Sequence, residues 1–540
     1  MDYKVFGALI CCSGVGIVRP ERVKRLIDQL SKMGYNYLEL CTDDTYKIED
    51  EPYFGYLLGG YTKEEIKDMD AYARSKGVEL VPAIQTLGHQ SNLVKLPHYA
   101  DIVDIDSILL VDEPKTYELI EKMFKTLREC YTTKHVNIGF DEAHNVGRGR
   151  YLDKHGFVNH FDLLLRHLNR VIEIAKKYDF KVHMWSDMFY RLYNKQYNAK
   201  LWGGYYSKEV LHLPKDVLDK VPEDVGMTLW MYENADPYYE PMIISHKEDF
   251  KGDFWYAGVS GFTANGFAPF NKCVIRSMKL AMEQVRKHNV ENVIMTIWND
   301  DGHDCPFENA LPSLYATRQF ADGNFDMDKI KKGFKEMFGV EFDDFMKHDL
   351  INKSKKNPDL LKCVNACKSL LFNDCFVGWK DGMLKEEYPI PYGEYAKELE
   401  EILPRMGDFK YITEMLIALA RTLEVKYDLG LRTRKAYQEG DKKELKKLVD
   451  DYLEAANRLK VFREKFRYAY MLECKPYNWE IHEIRLSGLY GRIMDCRDRL
   501  IEYLDGKVKD IPELTETILP YADWGLQWNM YKGSVSVSSL

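Results

Sequence analysis

Two adjacent acids, Asp141 and Glu142, close the short run His135-Val136-Asn137-Ile138-Gly139-Phe140 and are followed at once by Ala143 and His144. Side chains alternate faces along a strand. Neighbouring carboxylates therefore share one pocket only where the strand ends and its geometry breaks. Two carboxyls in one apolar pocket repel as ions, and this pushes their pKa values apart. One then keeps its proton while the other keeps its charge, which is what general acid catalysis beside an electrostatic helper requires. The same two residues also fit a helix N-terminus, with Asp141 as cap and Glu142 in the first turn.

Other strand-like runs end in residues that could serve the same pocket. The second runs into Asp43-Asp44, and the third into Gln85-Thr86-Leu87-Gly88-His89. Trp185 precedes Ser186-Asp187, Trp230 precedes Met231-Tyr232, and Trp298 precedes Asn299-Asp300-Asp301-Gly302-His303-Asp304. Three tryptophans at three strand ends suit an aromatic wall around one compact ligand, although each alone fits a core. Asp300 and Asp304 could accept hydrogen bonds from sugar hydroxyls, or cap the helix that follows. His89, with Asp43 in reach, could form an Asp–His–acid relay, and by itself it is as readily structural. Asp187 and Glu308 read as supporting or capping groups. No HExxH is present, and His246-Lys247-Glu248 lacks the paired cysteines of a zinc site, so no metal is expected. No cysteine has a sequence-supported histidine partner for nucleophilic chemistry.

These residues need a frame that brings many strand ends to one face. Apolar runs at 5–12, 37–42, 78–84, 136–140, 181–185, 226–230, 254–259 and 292–298 alternate with amphipathic helical stretches such as those at 20–27 and 62–76. Alternating β and α units imply a parallel sheet. Eight of them fit an α/β fold of the closed (β/α)8 TIM-barrel type, whose active sites lie at the strand C-termini. An open dinucleotide-binding sheet would need a G-x-G-x-x-G loop. Ser13-Gly14-Val15-Gly16-Ile17 lacks that register, and no cofactor is expected. From about residue 310 the strand signal fades. Charged helical patterns follow at 327–337, 395–403, 411–429, 442–468 and 479–504, broken by Pro389-Ile390-Pro391 and Glu439-Gly440-Asp441. This predicts a barrel over residues 1–320 and an α-helical C-terminal domain over 321–540, joined near Gly323-Asn324.

The 540 residues are 45% hydrophobic with a formal net charge of -9, which argues against a nucleic-acid or anionic-membrane partner. Aromatics reach 13%, with 37 Tyr and 9 Trp, and suit pockets in which flat apolar sugar faces lie on rings. No run approaches the roughly 20 apolar residues of a membrane span. No basic and then apolar leader opens the chain, so no signal peptide is expected. The 11 cysteines are odd in number and lack CxxC pairs, which implies reduced thiols and a cytoplasmic setting. The size suits a homodimer.

Asn137-Ile138-Gly139-Phe140-Asp141-Glu142-Ala143 resembles the H/N-x-G-x-D-E-A signature of glycoside hydrolase family 20, the β-N-acetylhexosaminidases. The Gly-Arg-Tyr-Leu-Asp-x-His-Gly segment ending at Gly156 is similar to an intracellular branch with a helical C-terminal domain. Gln85–His89, Trp185-Ser186-Asp187-Met188-Phe189 and Trp298-Asn299-Asp300 resemble its other strand-end motifs, and Asn478-Trp479-Glu480 its helical region. The resemblance implies retaining, substrate-assisted hydrolysis of a terminal 2-acetamido sugar, an exception to the two-carboxylate scheme. Glu142 would be acid and then base, while Asp141 would orient the acetamido N–H. Tyr232 would donate to the acetamido oxygen, and Trp185, Trp230 and Trp298 would cage the acetyl group and sugar face. His89 and Asp43 would support Glu142, and the partner would be a glycan or amino-sugar.

The chain departs from the pattern in three places. Gly14 stands where relatives carry an arginine after the first strand. Ser260-Gly261-Phe262-Thr263-Ala264-Asn265 replaces their tryptophan-bearing segment before Gly-Phe-Ala-Pro, and Asp300 replaces a glutamate. The resemblance thus leaves GlcNAc against GalNAc open. Two other readings use the same residues. One is an amino-sugar-binding protein without turnover, and the other is a barrel glycosidase with a separate carboxylate nucleophile such as Asp187 or Asp300.

Overall fold

The computed structural model describes residues 2–14, 16–194, 205–232, 236–261 and 266–520. Its strands in chain order are β1 (Val5–Cys11), β2 (Tyr37–Cys41), β3 (Glu79–Ala83), β4 (Val103–Ile105) and β5 (Ile108–Leu109). They continue with β6 (His135–Asn137), β7 (Lys181–Trp185), β8 (Gly226–Trp230), β9 (Phe254–Val259) and β10 (Asn292–Ile297). Eight of these close a parallel barrel in the order β1-β10-β9-β8-β7-β6-β3-β2. All residues of β1 and β10 are buried, as expected where helices cover a parallel sheet outside and side chains fill it inside.

The helices between strands form for local reasons. Pro20–Met33 has proline in its first turn and ends on Gly34 at φ 85°, a left-handed cap that favours glycine. It buries Val23, Leu26, Ile27 and Leu30, the stripe spacing of an amphipathic helix. Lys63–Ser75 opens with a capping box between Thr62 and Glu65.

Two local features differ from the sequence expectation. The fourth barrel strand, β6, stops at Asn137 rather than continuing to Phe140. Gly139 and Phe140 turn to φ 75° and 76°, and Gly139 N–H is taken by Asn137 Oδ1 at 3.0 Å instead of a neighbouring strand. The short antiparallel pair β4–β5 had no readable signal. Its Asp104 accepts the backbone N–H groups of Gly147 at 2.6 Å and Tyr151 at 2.8 Å, which holds down the chain that leaves the acid pair.

Inside the barrel, a polar layer sits among the apolar ones. Glu39 is fully buried and accepts from Asn137 Nδ2 at 3.0 Å, while His183 Nε2 lies 3.2 Å from its other oxygen. The His183 ring stacks on Trp255 at 4.4 Å. A buried carboxyl is tolerated only with such partners.

The chain divides into two compact units, residues 1–259, 277–298 and 316–325, and residues 260–276, 299–315 and 326–540. The barrel strands all belong to the first. The second is helical, with Met327–Phe338, Tyr392–Ile402, Lys410–Lys426, Leu429–Gln438, Lys442–Glu473 and Trp479–Leu504 as its longer helices. The helix expected over 411–429 ends at Lys426, because Asp428 leaves helical geometry and holds Arg432 Nε at 3.0 Å, and a further helix, Leu429–Gln438, follows. Short helices such as Ala366–Phe372 had no legible period. Within this unit Lys368 is buried between Asp301 and Asp304, and His303 Nε2 lies 2.8 Å from Glu473. Among the described residues no helix is long and apolar enough to cross a membrane.

Candidate active site

The acid pair depends on the glycine before it. A β-carbon on Gly139 would stand 2.0 Å from Gln85 Oε1, and its φ of 75° is in the left-handed region. That close approach lets Gln85 Nε2 donate to Asp141 Oδ1 at 2.9 Å. His89 Nε2 lies 3.0 Å from Asp141 Oδ2 and 3.7 Å from Glu142 Oε2. Both oxygens of Asp141 are therefore engaged, while Glu142 is the more open acid, with 39% side-chain exposure against 18%. Asp43, His89, Phe140 and Glu142 all have positive φ between 44° and 76°, rare for residues with a β-carbon. These strained strand ends turn successive side chains into one space. The next helix begins at Arg150 with Gly149 at its cap, which removes the helix-cap reading of Asp141-Glu142.

Charge follows from these contacts. Burial alone would raise Asp141, but the His89 charge and hydrogen bond, with the Gln85 bond, hold its carboxyl below the usual range. In return Asp141 pushes His89 up to about 10, with Glu142 and Asp43 adding smaller pulls. Asp43 acts on His89 through its charge, and burial carries Asp43 itself up to about 7. His89 thus makes its close contact to Asp141 rather than serving Glu142 first.

A second set of contacts holds Glu142 from the helix that follows β7. Its backbone N–H donates to Asp187 Oδ2 at 3.2 Å. Asp187 begins the helix Asp187–Asn194 and is fully buried. One turn on, Arg191 Nε lies 3.0 Å from the same Asp187 oxygen, and Arg191 Nη2 donates to Glu142 Oε1 at 3.3 Å. Burial raises Asp187 even against the charge of Arg191. The guanidinium faces the rings of Trp230 at 5.5 Å and Tyr205 at 5.8 Å. Arg191 escaped the sequence reading, and its one trace there is the Asp187-x-x-x-Arg191 spacing of one helix face.

The aromatic residues form a connected wall. Trp185 and Trp298 lie 6.0 Å apart, Trp298 Nε1 donates to the Tyr232 hydroxyl at 2.8 Å, and Tyr232 lies 5.3 Å from Trp230. Arg191 ties this wall to Glu142. Asp300 and Asp304 fall in the helical unit. Asp300 is exposed, whereas Asp304 is 3% exposed with Lys368 Nζ 2.5 Å from its carboxylate, so its acceptor capacity is taken by an ammonium. Gly14 has φ 62°, and nothing lies within 4 Å of where its β-carbon would be. Residues 262–265 of the divergent segment lie outside the described residues. Among the described residues no group of three His, Cys, Asp or Glu side chains could hold a metal. His246 instead bonds Ser186 Oγ and Met242 O, both at 2.7 Å.

Comparison with known proteins gives matches to two family models. The model described as glycosyl hydrolase family 20, catalytic domain, matches residues 17–221, and the glycoside hydrolase 20C C-terminal domain matches residues 343–527. A beta-hexosaminidase of Vibrio furnissii is 28% identical over 160 residues, 23% of this chain and 26% of the relative. A probable beta-hexosaminidase of Arthroderma benhamiae is 22% identical over 219 residues, 34% of this chain and 35% of the relative. The chain thus spans 26% and 35% of the lengths of these two curated relatives. The crystal structure of a β-N-acetylhexosaminidase from Bacteroides fragilis aligns with a TM-score of 0.47 at 16% identity, over 62% of this chain and 71% of that one. An exo β-N-acetylglucosaminidase from Vibrio harveyi, solved in complex with N-acetylglucosamine, aligns at 0.45 and 16%, over 62% and 58%.

Proposed function

The chain belongs to glycoside hydrolase family 20, and from that membership we propose that it removes terminal β-linked N-acetylhexosamine, GlcNAc or GalNAc, as an exo-acting retaining hydrolase. The observation that carries this reading is the division of labour in the acid pair. Asp141 is held as an anion by His89 and Gln85, and the adjacent Glu142 stays open to a ligand.

In this reading Glu142 gives its proton to the glycosidic oxygen as the bond to the anomeric carbon breaks. The carbonyl oxygen of the substrate's own acetamido group closes on that carbon, forming an oxazoline. Asp141 accepts the acetamido N–H and offsets the positive charge that develops there. Water then attacks the anomeric carbon, Glu142 takes its proton, and the acetamide is restored. Tyr232 donates to the acetamido oxygen, and Trp298 Nε1 orients the phenol by donating to its oxygen. Trp185, Trp230 and Trp298 enclose the acetyl methyl and the sugar face. His89 and Asp43 supply the charge balance behind the pair. Asp187 as a separate nucleophile is disfavoured, since it is fully buried and committed to Glu142 N–H and Arg191. Gly14 marks where the hydroxyl specificity differs. The odd cysteine count without CxxC pairs supports a cytoplasmic setting.

The experiment is turnover of p-nitrophenyl β-glycosides of GlcNAc, GalNAc, Glc and Gal. One or both acetamido sugars should react and the plain hexosides should not. Glu142→Gln should lose about 10²–10⁴ in rate and Asp141→Asn about 10²–10³. Equal turnover of the glucoside would sink substrate assistance. Turnover of none of the four would favour the binding protein.

A further inference from the structure

Glu142 has a strained backbone, at φ 53°, and a side chain 39% exposed. Left alone, such a carboxyl samples several rotamers, and only some of them can reach a leaving group. His89 does little to select one, because its Nε2 is 3.0 Å from Asp141 and 3.7 Å from Glu142. Among the described residues the one hydrogen-bond donor to the Glu142 carboxylate is Arg191 Nη2, at 3.3 Å.

Arg191 is itself fixed from several sides. It is 4% exposed. Its Nε pairs with buried Asp187 at 3.0 Å, its Nη1 lies 3.5 Å from His144 Nε2, and its face lies over Trp230 and Tyr205. Asp187 also holds the Glu142 backbone N–H at 3.2 Å. One buried ion pair thus grips the acid at both its main chain and its side chain, and reaches the aromatic wall through Trp230.

We propose that Arg191 is a positioning residue for proton transfer, holding the Glu142 carboxyl in the rotamer from which it protonates the departing aglycone. This rests on the family 20 hydrolase reading above. Arg191 donates no proton of its own. The proton passes from Glu142 to the glycosidic oxygen as the bond to the anomeric carbon breaks and the acetamido oxygen takes its place. Negative charge then grows on Glu142, and a charge-assisted bond from Arg191 strengthens with it, so the contact favours the transition state over the ground state.

Leaving-group dependence tests this. A 2,4-dinitrophenyl aglycone departs without acid help, whereas an N-acetylhexosaminyl disaccharide needs it. Arg191→Gln should lose about tenfold or more in kcat/KM on the disaccharide and stay within about twofold of the wild type on the dinitrophenyl glycoside. Arg191→Lys keeps a cation beside Asp187 but loses the two-pronged grip, so it should fold and show the same selective loss at smaller size. Equal losses on both aglycones, or none on either, would overturn the proposal, and the lysine variant decides alone if the glutamine variant does not fold. If the wild type cleaves neither acetamido substrate, the hydrolase reading itself fails. If it cleaves both and the variants show no aglycone dependence, only the role of Arg191 fails.

Discussion

At Asp141 two opposed effects meet, and the sum decides the chemistry. Burial pushes toward the neutral acid, and the His89 cation with the Gln85 amide pushes back further, leaving the carboxylate charged. The partner pays in reverse, since His89 is carried from 6.5 to about 10. A histidine whose folded pKa is raised contributes stability in full below its free value, and loses it as pH rises through the folded one. The thermal midpoint difference between wild type and His89→Gln should therefore be widest near pH 6 and shrink steadily toward pH 10. A scan over that range reads it directly. A difference that stays flat would mean that the ion pair with Asp141 adds nothing to the fold. Asp141 has the opposite sign, so its share fades only in acid, below the ordinary carboxylate range.

The elements that place these residues are short, and their ends matter more than their middles. β6 stops at Asn137 so that Gly139 and Phe140 can turn the chain. Gly139→Ala should cost about 1–3 kcal/mol in urea unfolding through its backbone strain. It should also lower activity beyond that loss, since the new methyl displaces Gln85 from Asp141. Wild-type activity in a stably folded Gly139→Ala protein would show that the Gln85 contact is dispensable.

Barrel strands buried on both faces announce themselves as apolar runs, which is why 181–185, 226–230 and 254–259 coincide with β7, β8 and β9. The run at 136–140 overshoots because Ile138 and Phe140 are apolar and buried, yet strand geometry breaks where Gly139 and Phe140 turn to positive φ. β4 and β5 are too short for any period to show. The acids, His89 and the tryptophans were legible as polar or aromatic punctuation after strands. Arg191 was not, because its contact with Glu142 joins residues 49 positions apart. Asp304 was misleading for the same reason, since Lys368 lies 64 positions on.

On the scale of the molecule, the first unit carries the barrel and the acid pair, and the second is a helical body with its own buried ion network. The two family matches cover residues 17–221 and 343–527, which separates catalytic-type sequence from the helical C-terminal type. Under the proposed function, Gly14 is where hydroxyl recognition would depart from the family pattern, because glycine has no side chain to supply a bidentate contact to a sugar. In the same proposal, the residues assigned to the acetamido group carry no such departure, so the central claim is the substrate's own nucleophile. The most direct measurement is kcat/KM for aryl N-acetyl-β-glucosaminides, or galactosaminides if those react, bearing none, one, two and three fluorines on the acetyl methyl. Each fluorine weakens the carbonyl oxygen as a nucleophile while barely changing its size. A steep, progressive fall across the series is expected, and rates that ignore the fluorines would overturn substrate assistance.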